Sequence, residues 1–218
     1  MTNLKALTED EEDDKLLQDY ASYQFLKAIK VDWKTPDWQN FFIFQFNSIT
    51  QNYDMHGVIS FDNEPHPLLS EEFSKKNIMH ITQIGISNEM RGCGYLEYVC
   101  NKIIVHAEEY GIFVHAHAQP FKYDVPLFHT HEESCKWLDE LEEGLHIDSY
   151  GLSWAKEKKS CRSLYRKYLE YGFCKYDYHG YRFGSNARGR FRKSCGFGYL
   201  SSKADPRIKE HIQDHLHC

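Results

Sequence analysis

A chain of 218 residues with a 41% apolar and a 15% aromatic fraction suffices for one domain with a core, and no apolar run approaches the roughly 18 residues of a membrane-spanning helix. The acidic start, Met1 to Lys15, lacks a signal-peptide core, and seven scattered cysteines without a C-x-x-C pair predict reduced thiols in a cytoplasmic protein. The net charge of −6 conceals a division: residues 1–150 hold 11 basic and 26 acidic side chains, residues 151–218 hold 15 and 6, so the C-terminal part is suited to an anionic partner.

Thr8 and Glu11 form a capping-box pattern, which predicts a helix from about Glu9 to Lys30 with Leu16, Tyr20 and Tyr23 near one face and Pro36 beyond its end. "FFIFQFNSI" reads as a buried strand and "MHGVISF" as its hairpin neighbour. A loop follows, with room for a short helical turn after Ser70. "IMHITQIGIS" is a strong strand. From Gly94 to Tyr110 the residues Leu96, Val99, Cys100, Ile103, Ile104 and Ala107 recur at helical spacing, and Gly111 is a natural stop. "IFVHAHAQ" alternates as a strand ended by Pro120. Strand, helix, strand is the pattern of a right-handed crossover in a partly parallel sheet. Residues 121–159 read as an insertion with a helical middle, "HEESCKWLDELEEGL". "SCRSLYRKYLEYG" is a further helix, "FCKYDYHGYRFG" a strand, turn and strand, and the tail "DPRIKEHIQDHLHC" a short helix. No reading is assigned to "SNARGRFRKSCGFGYLSS", and a basic extension begins at about residue 181.

The turn "RGCG" between a strand and a helix holds the first chemistry. The leading amides of a helix have no intrahelical partner and its dipole adds positive charge, so a phosphate or pyrophosphate suits this place. Arg91 adds a cation, while Gly92 and Gly94 remove bulk. Two glycines in such a turn also arise from steric accommodation alone. Neither the P-loop nor the dinucleotide fingerprint is present.

"ITQIGISNEMRGCG", its helix, the strand "IFVHAHAQ" and the ending "YLEYGF" together resemble the GCN5-related N-acetyltransferase superfamily. Glu89, Gly92 and Gly94 fall on that family's Gln/Arg-x-x-Gly-x-Gly/Ala pattern, with Glu89 departing from it; Tyr168, Gly172 and Phe173 fall on its Tyr-x-x-x-Gly-Phe ending. Cys161 stands where the family commonly has an asparagine. The resemblance covers about Phe41 to Phe183 and implies an α/β (α+β) fold: a mixed, partly parallel sheet with helices on both faces and splayed fourth and fifth strands. It implies acetyl-CoA or another acyl-CoA as cofactor, held by Arg91, Gly92, Cys93, Gly94 and Tyr95 at the diphosphate and by Ile84, Gly85 and Ile86 along the pantetheine arm. It implies direct attack of an amine on the thioester, with Tyr168 as general acid toward the thiolate and Tyr165 as its fallback.

On "FVHAHAQ" a period of two puts His115, His117 and Gln119 on one face, opposite Val114, Ala116 and Ala118; His80 and Thr82 share a face of the preceding strand. His115 or His117 is the expected base, set against a reading as hydrogen-bonded sheet residues. The two H-x-H pairs among His115, His117, His129, His131 and Cys135 would supply zinc ligands if the loop folded back, but the spacing matches no zinc-finger pattern, and no metal is expected. The amine acceptor is open. Tyr181, Phe183 and Phe191 among Arg182, Arg188, Arg190, Arg192 and Lys193 would suit nucleic acid, and in composition the chain is similar to Mom-type DNA-modifying proteins of phages. The alternative is a catalytically silent member that binds or inhibits a partner.

Overall fold

The computed structural model of the chain describes residues 20–33, 40–46, 53–62, 66, 69–87, 90–118, 129–130, 132–133, 136–137, 140, 154–177 and 196–218. Its elements are α1 (Ala21–Trp33), β1 (Asn40–Phe46), β2 (Tyr53–Asp62), α2 (Glu71–Asn77), β3 (Ile78–Ile86), α3 (Tyr95–Tyr110), β4 (Phe113–His117), α4 (Trp154–Glu170), β5 (Cys174–Tyr176), β6 (Gly196–Leu200), α5 (Pro206–Ile212) and β7 (Leu216–His217). The strands form one sheet in the order β1-β2-β3-β4-β6-β5-β7. Among the described strands only β3 and β4 run parallel, joined across α3; the other pairs are antiparallel. The fold is therefore mixed α/β, as the crossover pattern predicts. Among the described residues no helix is long and apolar enough to cross a membrane.

Alternation along the strands divides the core in two. Met79, Ile81, Val114 and Ala116 face one layer, where Phe25, Leu26 and Ile29 of α1, Val99, Cys100, Ile103 and Ala107 of α3, and Tyr168 of α4 are buried. Their neighbours Ile78 and Phe113 face the other layer, with Tyr176, Ile208 and Ile212. The α3 stripe is the one its spacing predicts, Leu96 and Ile104 packing at its margin.

Several local rules are visible in atoms. Ser70 accepts a hydrogen bond from Phe73 N–H at the start of α2, whose Glu71–Lys75 and Glu72–Lys76 pairs lie one turn apart. Gly172 takes φ 100° after α4, and Phe173 N–H returns to Tyr168 C=O at 3.1 Å. Thr130 and Glu133 exchange hydrogen bonds as a capping box within the inserted segment. Glu108 clamps α3 to the turn after β6 by accepting from Tyr199 Oη (3.0 Å), Ser202 N–H (2.8 Å) and Ser202 Oγ; the Ser202 hydroxyl first, with the other donors, pulls its carboxyl down to about 2.

Elsewhere the sequence reading needs correction. Helix α1 runs to Trp33, past Lys30, while Thr8, Glu11 and Leu16 lie outside the described residues. Helix α4 begins at Trp154, inside the stretch 121–159 read as insertion. The unassigned stretch contains β6, which lies between β4 and β5, so β5 pairs with β6 and β7. Strand β3 is not regular throughout. The β2 register passes from Ser60↔Gln83 to Phe61↔Ile81, which makes Thr82 the extra residue of a bulge. The expectation of reduced thiols fails at one pair, because Cys174 and Cys218 are joined; Cys93 and Cys100 are free.

Candidate functional site

The bulge at Thr82 falls where the parallel pair parts. β3 and β4 are in register from Ile78↔Phe113 to Ile81↔Ala116, and no described residue of β4 lies opposite β3 beyond that. Among the described residues β3 continues to Ile86 against β2 alone, with Ile84, Gly85 and Ile86 opposite Ile59, Val58 and Gly57. The flip at Thr82 brings Ile84 and Ile86 onto the same core layer as Met79 and Ile81. The other flank, His117, pairs with Gly196 of β6. A strand edge without a neighbour on one side is a set of unmatched donors and acceptors, the kind of edge to which an extended ligand adds.

The glycine turn follows directly. Met90 N–H donates to Ser87 C=O at 3.0 Å and Cys93 N–H to Met90 C=O at 3.3 Å, which turns the chain into α3. Gly92 and Gly94 have φ of 86° and 85°, so both need the left-handed region that glycine enters without cost. A Cβ on either would meet no atom of the described residues within 4 Å. Crowding therefore does not explain these glycines; backbone conformation does, and it leaves open space above the turn. Arg91 to Gly94 are exposed, and Arg91 Nε donates to Ile86 C=O at 3.2 Å, which holds the guanidinium at the end of the β3 edge. Gly94 caps α3 without a side chain, so the helix amides are left to other partners. Tyr95 is half-buried, and burial, then the neighbouring Cys93 and Tyr98, raise its phenol. Glu97 occupies the first turn, and Glu89 lies outside the described residues.

Tyr168 sits deeper. Its ring stacks on Phe197 at 4.0 Å and meets Phe173 edge-on at 6.2 Å; burial, then Cys100 and Tyr171, push its phenol far above the usual range. It is a neutral O–H at any ordinary pH. Tyr165 is half-buried one turn earlier, packed against the same layer. Phe197 is in register with Ala116, which places Tyr168 over β4 and β6 rather than on the β3 edge. His115 lies on the opposite face of the sheet, 2% exposed, its ring stacked on His80 at 4.9 Å and on Phe113 at 5.3 Å. Burial, then His80, His66 and His117, hold it well below the ordinary imidazole range. His117, half-buried where the strands part, is lowered to about 4 by burial and then His80. The structure thus brings together Ile84, Gly85, Ile86 and residues 91–95, sets His117 at the other flank, and separates His115 from Tyr168 by the sheet.

Three features escaped the sequence. His66, lowered to about 4 by burial and then His215 and His211, bonds to Tyr176 Oη at 2.6 Å beside His115. Nothing in "DNEPHPLLS" marks it as a core residue. The Cys174–Cys218 pair had no spacing signal. Ser87, at the exit of β3, is fully buried, and its hydroxyl has no hydrogen-bond partner among the described residues. An unsatisfied buried hydroxyl costs about 1–3 kcal/mol. Ser87→Ala is therefore expected to raise the melting temperature by a few degrees or leave it unchanged; a clear fall in a thermal melt would contradict this.

His131, Cys135 and the basic stretch 181–193 lie outside the described residues; among the described ones no three His, Cys, Asp or Glu side chains gather as a metal site. In class the protein is a mixed α/β domain whose parallel strands part beside a glycine-turned helix start. Comparison with known protein families and with curated proteins finds no match for the chain.

Proposed function

We propose that the protein is an acyl-CoA-dependent N-acyltransferase of the GCN5-related kind, transferring an acetyl or similar acyl group to an amine. The observation that carries this reading is the parting of β3 and β4 at the Thr82 bulge, directly beside a helix start turned by two left-handed glycines under open space. An acyl-pantetheine arm would lie along Ile84, Gly85 and Ile86, adding main-chain hydrogen bonds. The diphosphate would rest on the backbone of Arg91 to Tyr95, where helix dipole and guanidinium supply positive charge.

The chemistry asks for an uncharged nitrogen, donors to the developing oxyanion and a proton for the departing thiolate. A main-chain N–H near Ile86 would serve the oxyanion. His117, at the flank of the gap and held neutral near pH 7, would take the proton of the attacking amine. Tyr168 would protonate the thiolate, provided the bound thioester reaches the α4 side of β4. Its raised phenol makes that transfer uphill, and the silent binding module is favoured by this one fact.

The test joins binding to turnover. Acetyl-CoA is expected to raise the melting temperature of the full chain, and Tyr168→Phe to keep that rise while slowing acyl transfer to a panel of amines about 100-fold or more. Protection without transfer to any amine would leave the silent module; no protection by any CoA ester would end the acyltransferase reading. Nucleic acid as acceptor predicts binding to DNA or RNA that falls steeply with salt and weakens in Arg190→Ala/Arg192→Ala.

A further inference from the structure

Residues 201–218 form a strap over the second core layer. Ala204, Ile208 and Ile212 are buried against Ile78, Phe113 and Tyr176, and Arg207 lies 4.1 Å over the Phe73 ring. This first half is anchored by apolar contact. The second half is held differently. Strand β7 has two residues, paired as Lys175↔His217 and Tyr176↔Leu216, and Asp177 N–H donates to His215 C=O at 2.9 Å. A two-residue strand at a sheet edge and a seven-residue helix are each too short to persist without tertiary support. Beneath them lie His66, His115 and Tyr176, with Tyr176 and His66 buried and bonded. The Cys174–Cys218 bond ties the first residue of β5 to the residue after β7.

We propose that the Cys174–Cys218 bond is a thiol-controlled latch: formed, it keeps residues 213–218 on β5; reduced, it lets β7 leave and exposes the buried His66–His115–Tyr176 cluster to solvent. The step is thiol–disulfide exchange. A dithiol supplies two electrons and two protons, the S–S bond breaks through a mixed disulfide, Cys174 and Cys218 become thiols, and the dithiol leaves as its own disulfide. Disulfides found in a reducing compartment are as a rule transient and redox-sensing, and Cys93 and Cys100 of this chain are free thiols. The proposal stands independently of the acyltransferase reading.

Amide hydrogen exchange on the full chain, with and without dithiothreitol at constant pH, tests it. Reduction is expected to speed exchange of peptides covering 213–218 and 174–177 about tenfold or more while 99–107 in α3 stays protected. Cys218→Ser should reproduce this without reductant, and modification of His66 by diethyl pyrocarbonate should rise in step. Unchanged protection in both the reduced chain and Cys218→Ser would overturn the latch. So would loss of protection throughout α3, because the bond would then hold the whole fold, and so would thiol titration showing no bond in the air-oxidised chain.

Discussion

Gly57→Ala is expected to cost about 3 kcal/mol or more, at the upper end of what overpacking does and a large share of a typical domain stability of roughly 5–15 kcal/mol. A Cβ on Gly57 would fall inside the van der Waals shell of Gly85 O and lie 3.2 Å from Ile86 Cα and 3.3 Å from Gly85 C. All three are backbone atoms of β3, so no rotamer relieves the clash; the two strands must separate. Separation would damage the candidate site as well, since Gly57 is in register with Ile86, whose carbonyl holds Arg91. Gly94→Ala is the control. Its added methyl meets no atom of the described residues, and its cost is the left-handed backbone, roughly 1–2 kcal/mol. Denaturant unfolding of both variants should show the larger loss at Gly57, and thermal protection by acetyl-CoA should vanish there. A Gly57→Ala protein as stable as Gly94→Ala would mean that β2 and β3 are not packed this closely.

The sequence carried the elements whose periodicity is local and lost those set by partners far along the chain. Val99, Cys100, Ile103 and Ala107 announce a buried helix face because three- and four-residue spacing is written within α3 itself. The alternation of Val114 and Ala116 against His115 separates the two layers for the same reason. The bulge at Thr82 was not legible. It is fixed by the register with Ser60 and Phe61, some twenty residues upstream, and one inserted residue reverses every face after it. Strand β6 escaped because "GFGYL" is short and has two glycines, a residue depleted in strands; Gly198 is glycine because a Cβ there would press on the Phe113 ring at 2.9 Å. The candidate site divides along the same line. The glycine turn could be read from residue types, but its two explanations were separated only by the φ angles and the open space above. The depth of Tyr168 depends on Phe197, and the surroundings of His115 on His66 and Tyr176, residues that no local pattern connects.

Lowering the pH from 7 to 5 is expected to remove several kcal/mol of stability, through histidines rather than carboxylates. His66 and His117 are held at about 4 in the folded chain against an ordinary 6.5, and His115 is also held well below 6.5; burial is the largest cause for each. The folded state therefore binds fewer protons than the unfolded one between those limits. Stability is complete above pH 6.5 and is lost progressively as pH falls toward 4. At pH 5 His66 and His117 each account for about 1–2 kcal/mol, with His115 adding to this. The expected drop in melting temperature is about 10 °C or more for a chain of this size. Glu108 acts in a different window. Its carboxylate is lowered from 4.5 to about 2, so its contribution holds above 4.5 and falls only below it. Stacking of His80 on His115, with His66 at 6.0 Å, means that a first proton would place positive charge against two further imidazoles, so the loss should be steep. His115→Phe, beside Phe113 and Tyr176, should flatten the profile between pH 7 and 5 even if it lowers stability at pH 7. Urea titrations of the oxidised chain across this range check the claim. Equal free energies of unfolding at pH 7 and pH 5, in the unaltered chain, would show that these rings meet water in the folded state.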